Sequence, residues 1–230
     1  MSKINFMLLH LLIVSTGSGL LRAQSITLGA QIWSTKNVDG STFRNGEPIL
    51  QAISYLDWKK AGEAQQPAWC YYDNDTSNGT RYGKLYNWYA VADHRGLCPT
   101  GWHVPTDEEW SILTDYLGGE ELAGAKMKSN YGWKDNEKPE SSSGFNGLPG
   151  GWRSDFGTFY GIGSSVSWWS SAKYINSTEW ERRLSADNPH VYTLDTLSNS
   201  YTRGLISSNG LVYRAANNKQ NGYSVRCIKD

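Results

Sequence analysis

The chain has 230 residues, with 22 lysines and arginines against 22 aspartates and glutamates, and with 11 tryptophans, 14 tyrosines and 24 glycines. So balanced a charge, without dense basic clusters, carries no footprint for nucleic acid and no polybasic membrane anchor. The length suffices for one domain with a sizeable core.

Residues 1–23 read as a secretion signal. Lys3 gives a positive start, Phe6 to Val14 is a short apolar run, and Leu21-Arg22-Ala23 precedes an expected cut before Gln24. That run falls well short of the roughly 20 apolar residues that a membrane span requires. No later segment reads as a span. Export leaves residues 24–230 as the domain, secreted outside the cell or held at its surface. The net charge drops from zero to −2, because Lys3 and Arg22 leave and no acid does.

Ile26-Thr27-Leu28-Gly29-Ala30-Gln31-Ile32-Trp33 alternates and predicts a hairpin turned at Gly29-Ala30. Residues 49–60 suit a short helix with Pro48 in its first turn. Pro67 to Tyr72 reads as the start of a strand, and Asp73 to Gly79 as a loop. Leu85 to Val91 is a buried strand or a helical turn, and its pattern does not decide between them.

The clearest helix follows Thr106. Thr106 and Glu109 make a capping box, and Asp107, Glu108 and Glu109 set negative charge at the helix start. Trp110, Leu113, Thr114 and Leu117 form one apolar stripe, and Gly118-Gly119 ends the helix. A second short helix runs from Glu120 to Lys128, with Leu122, Ala125 and Met127 inward. From Tyr131 onward the chain turns to glycine turns and short strands. Ser167–Ala172, Val191–Leu194 and Gly222–Ile228 are the best strand candidates.

Of the cysteines Cys70, Cys98 and Cys227, one is left over if a bridge forms, and spacing alone allows all three single pairings. Neither a CxxC redox pair nor a zinc knuckle has this spacing.

Several ordered motifs give the chain a family likeness. They are Ile32-Trp33-Ser34-Thr35-Lys36-Asn37-Val38, Tyr82 to Val91, Cys98-Pro99-Thr100-Gly101-Trp102-His103-Val104-Pro105-Thr106-Asp107-Glu108-Glu109-Trp110, Ser143 to Gly151, Trp168-Trp169-Ser170-Ser171 and Ser224 to Asp230. Across nearly all of residues 25–230 the chain resembles the Fibrobacter succinogenes major paralogous domain family, found among secreted proteins of Bacteroidetes and Fibrobacteres. That family is in turn similar to the C-type-lectin-like superfamily, near the formylglycine-generating enzymes. The resemblance implies an α+β class and a C-type-lectin-like fold, with a twisted antiparallel sheet, two short helices and long irregular loops. It also implies a bridge between Cys98 and Cys227, which match two motif cysteines, and leaves Cys70 free. It carries little mechanism.

No catalytic residues can be nominated. The closely placed cysteine pair of the formylglycine-generating enzymes is missing, no Ser/His/Asp triad can be argued, and no second carboxylate faces Asp107, Glu108 and Glu109 at a glycosidase gap. The remaining reading is a non-enzymatic recognition module whose partner is a glycan or a surface protein; the alternative is a structural subunit of an extracellular assembly. For a ligand site the best region is Trp152, Arg153, Asp155, Tyr160, Trp180, Asn199 and Tyr201, where aromatic faces lie in loop-like sequence beside polar side chains. Trp33, Trp88, Trp102, Trp110, Trp168 and Trp169 read instead as core. Calcium is the one cofactor with any signal. Asp73, Asp75 and Asn78 offer oxygens, but the run lacks a terminal glutamate and a solvated turn is the simpler reading.

Overall fold

The computed structural model describes residues 25–134, 140–173 and 198–230. The expected export segment at residues 1–23, Trp180 and the strand expected at Val191–Leu194 lie outside them.

Ser25–Leu28 (β1) and Gln31–Ser34 (β2) form an antiparallel hairpin, turned at Gly29 with a φ of +60°. Leu50–Gln51 (β3) and Ala68–Cys70 (β4) pair in parallel, joined by a crossing helix, Tyr55–Glu63 (α1). The helix expected over residues 49–60 is therefore displaced. Ser54 starts it by accepting the Asp57 N–H, and Trp58, Ala61 and Gly62 form its buried side.

Tyr72–Asn74 is a 3-10 turn, and Thr76–Tyr82 (α2) is a helix capped by the Asp75 side chain, which accepts from Ser77 N–H. The expected loop at Asp73–Gly79 is corrected accordingly. Its small polar residues lower helix propensity but are strong helix starters, so composition alone misreads them. Leu85–Tyr86 (β5) and Trp88–Val91 (α3) follow, so this run is strand and then helix, divided at Asn87, whose side chain accepts from Ala90 N–H.

Trp102–His103 (β6) leads to Asp107–Tyr116 (α4), which carries the Thr106/Glu109 capping box. Gly118 and Gly119, both at positive φ, separate it from Glu120–Met127 (α5). The inward residues of α5 are Ala123, Gly124 and Met127, whereas Leu122, expected inward, is 58 % exposed. Close approach explains this. A Cβ on Gly124 would lie 2.4 Å from the Leu211 carbonyl oxygen, so the helix turns its smallest residues to that loop.

The remaining strands are Gly150–Arg153 (β7), Phe159–Ile162 (β8), Ser165–Lys173 (β9), Asn199–Ile206 (β10), Tyr213–Asn218 (β11) and Ile228–Lys229 (β12). The last strand is shorter than Gly222–Ile228 suggested. Tyr223 and Ser224 make isolated bridges, to Tyr86 and Trp168.

Among the described residues three sheets result, in the orders β1-β2-β12-β6, β11-β10-β9-β7-β8 and β3-β4-β5. Two of them are mixed, because β3 pairs β4 and β7 pairs β9 in parallel. Five α-helices occur among the described residues. The expected antiparallel sheet with two short helices, in a C-type-lectin-like arrangement, is thus overturned. The missed helices are short and polar or aromatic, and parallel pairing is set by crossover connections that no local pattern announces.

The aromatic residues fill three buried clusters rather than one. Trp33, Trp110, Phe145 and Trp168 lie in one, Trp69, Trp88, Trp169 and Tyr223 in a second, and Trp58 and Tyr72 in a third. Trp168 and Trp169 separate because successive residues of β9 point to opposite faces. Trp110 of α4 lies 4.7 Å from Trp33 and 5.8 Å from Trp168, measured between ring centroids. Each such buried ring contributes about 2–3 kcal/mol through burial.

Candidate functional site

One hairpin carries four of the residues singled out in the sequence. In β7 and β8 Trp152 pairs with Tyr160 and Arg153 with Phe159, around a turn at residues 154–158. Strand alternation therefore sends Trp152 and Tyr160 to one face and Arg153 and Phe159 to the other. Gly151 permits the close pairing. Its φ is +66°, and a Cβ there would lie 2.5 Å from the Tyr160 carbonyl oxygen.

On the first face the rings form a step from core to surface. Trp169 lies 4.8 Å from Tyr223, Tyr223 lies 5.8 Å from Trp152, and Trp152 stacks on Tyr160 at 4.9 Å and 29°. Tyr160 is 47 % exposed, so the ring face turned away from Trp152 meets solvent. Polar groups flank the step. Asn221 accepts the Asp155 N–H at 2.9 Å and donates to the Tyr223 hydroxyl oxygen at 3.1 Å. Asn218 donates to the Asp155 carboxylate at 3.2 Å. Burial pushes the Tyr223 phenol up to about 12, so it stays protonated at neutral pH.

The other nominated residues divide. Asn199 sits opposite Asn218 in the β10–β11 register, next to the Asp155 network. Tyr201 lies under the Arg214 guanidinium at 4.0 Å, on the side held by Asp107. Arg153 is buried, and its guanidinium donates to the carbonyls of Ala52, Ile53, Ser54 and Gly157. It braces the hairpin from behind and does not face the Tyr160 side. Asp73, Asp75 and Asn78 are not gathered as a ligand set: Asp75 caps α2 and Asn78 donates to the Tyr72 carbonyl. Among the described residues no three His, Cys, Asp or Glu side chains converge as a metal site.

His103 is held between two carboxylates, with Nδ1 2.6 Å from Asp230 Oδ1 and Nε2 2.9 Å from Glu109 Oε1. Burial opposes its charge, but the two carboxylates outweigh that and raise its pKa. Glu109 also accepts from the Thr106 N–H, so this cluster belongs to the start of α4.

Sequence reasoning missed Tyr223, Asn218 and Asn221, which lie in or after strands far along the chain. The only local sign was the polar run Asn217-Asn218-Lys219-Gln220-Asn221, which marks a turn. It also missed a cleft of about 440 Å³ between residues 34–44 and 97–102.

The disulfide between Cys98 and Cys227 is present, and Cys70 is a buried free thiol whose pKa burial raises to about 11. No described helix is long and apolar enough to cross a membrane. Neither a curated protein nor a solved structure matches the chain. The family model described as the Fibrobacter succinogenes major domain matches residues 26–229. Its source in Fibrobacter corrects the placement among Bacteroidetes. With nearly the whole domain matched, the chain belongs to the Fibrobacter succinogenes major domain family.

Proposed function

We propose that residues 24–230, exported by the signal at residues 1–23, act outside the cell as a non-enzymatic recognition module. The ligand platform is the hairpin of β7 and β8, and the favoured ligand is a glycan. One observation carries this reading: a half-exposed Tyr160 ring stacks on Trp152, and the turn of the same hairpin carries a partly exposed Asp155 carboxylate bonded by Asn218. Aromatic faces take the apolar side of a sugar ring, and carboxamides and carboxylates bond its hydroxyls. Trp152 supports the platform, and Tyr160 makes the contact. A glycan array on the folded protein, followed by Tyr160→Ala and Asp155→Asn, tests this. Binding should fall roughly tenfold or more with Tyr160→Ala, at an unchanged melting temperature. Failure of every glycan class to bind would reject the glycan.

A second reading, a structural subunit of a surface assembly, is favoured by exposed apolar side chains around the same hairpin. Phe156 is 72 % exposed at its turn, and Tyr55, Leu56 and Ile53 are also exposed. Tyr55 packs beside Gly157. Sedimentation of the wild type and Phe156→Ser at rising concentration distinguishes the two readings, since only the assembly reading requires association that the substitution weakens.

A further inference from the structure

The cleft between residues 34–44 and 97–102 is independent of the hairpin site. Its buried lining is apolar apart from Ser34: Phe43, Leu97 and the Cys98–Cys227 bridge, with half-buried Val38 and Trp102 beside them. Its size, about 440 Å³, lies within the range of small-molecule sites.

The walls are held in place. Arg44 spans the opening, donating from Nε to the Cys98 carbonyl at 2.9 Å and from Nη2 to the Trp102 carbonyl at 2.8 Å. The opposite wall is tied through Val38 N–H to the Val225 carbonyl and through the Tyr86 hydroxyl to the Gly40 carbonyl. Such a cleft needs little reorganisation to receive a ligand.

The charges at its mouth are unequal. Lys36, Asp39 and Arg44 all line it and are exposed. Asp39 is faced by Lys84, whose ammonium donates to the Asp39 carbonyl; burial lowers the Lys84 pKa, and the Asp39 carboxylate offsets only part of that. Arg44 has committed two donors to carbonyls. Among the described residues, the Lys36 ammonium makes no hydrogen bond and no ion pair. The cation left over is Lys36, and the charge the site lacks is negative.

We infer that this cleft binds an amphipathic carboxylate, a ring or short hydrocarbon that fills the Phe43–Leu97–Trp102 lining and sets its carboxylate on Lys36. The apolar body supplies most of the affinity. The carboxylate adds a modest preference, because Lys36 is solvated.

The test uses 2-naphthoate and its uncharged counterpart 2-naphthalenemethanol, titrated into the folded, disulfide-bonded protein and followed by NMR shifts. The acid should bind saturably at one site, about threefold or more tighter than the alcohol. Lys36→Gln should bring the two ligands to equal affinity while both still bind. Val38→Trp, which fills the cleft, should abolish binding of both at an unchanged melting temperature. Tyr160→Ala should leave both affinities unchanged, which separates this site from the hairpin. No saturable binding, equal affinity of acid and alcohol for the wild type, or a preference that survives Lys36→Gln would overturn the inference.

Discussion

Arg153 shows how much one buried side chain can hold. Its cation lies over Trp58 at 4.7 Å and Phe159 at 4.9 Å, and its donors satisfy carbonyls before and at the start of α1. Arg153→Met keeps the apolar contacts and strands those carbonyls, so it should destabilise the domain by about 2–4 kcal/mol in urea unfolding. A loss under about 0.5 kcal/mol would show that water replaces the guanidinium. His103 makes a pH-dependent contribution. Both ring nitrogens face carboxylates, so the imidazolium is the form that bonds to both. Its folded pKa is raised, so this stability is fully present below about pH 6.5, the unfolded value, and is lost as pH rises through the folded value. The stability difference between wild type and His103→Gln should therefore be larger at pH 5.5 than at pH 8.5. A pH-independent difference would show that the bonds do not depend on charge.

At the scale of elements, the N-terminus of α4 organises its neighbours. Asp107 accepts from the buried Arg203 at 2.6 Å and from the exposed Arg214 at 2.9 Å, which ties α4 to β10 and β11. Burial disfavours the Asp107 carboxylate, but the two arginines outweigh it and hold its pKa down. The two pairs are not equivalent. Asp107→Ala leaves Arg203 buried without its counter-charge and should cost about 3 kcal/mol. Arg214→Ala removes only a solvated partner and should cost about 0.5 kcal/mol. Equal losses in thermal and urea unfolding would refute this division.

For the whole molecule, the Cys98–Cys227 bridge joins residues 129 apart and ties the loop before β6 to the end of the chain's core at β12. So long a closure restricts the unfolded chain strongly. The Cys98→Ala/Cys227→Ala double variant should lose about 3–5 kcal/mol in urea unfolding. Because both cysteines are buried in the wall of the cleft, a reductant too bulky to enter it should open the bridge only as fast as the domain itself opens. Rapid reduction of the native protein by such a reagent would contradict that. The bridge also lines the proposed carboxylate cleft, so reduction should weaken 2-naphthoate binding along with the fold.

The parts that could be read in advance are those fixed by neighbouring residues. The β1–β2 hairpin, the capped α4 with its buried Trp110 and Leu113, and the burial of Trp33, Trp168 and Trp169 follow from local turn chemistry, capping and apolar spacing. The hairpin of Trp152 and Tyr160 was visible as an aromatic stretch, but only strand alternation in the folded sheet turned Arg153 away and made Trp152 a support. Tertiary structure alone decided the parallel pairings, the outward Leu122 and the cleft beside Lys36. Each of these depends on which distant segment lies alongside: β4 beside β3, Leu211 on Gly124, and Cys98 against residues 34–44. Local sequence sets backbone preference and the side that can be buried, whereas contacts between distant segments determine what covers it.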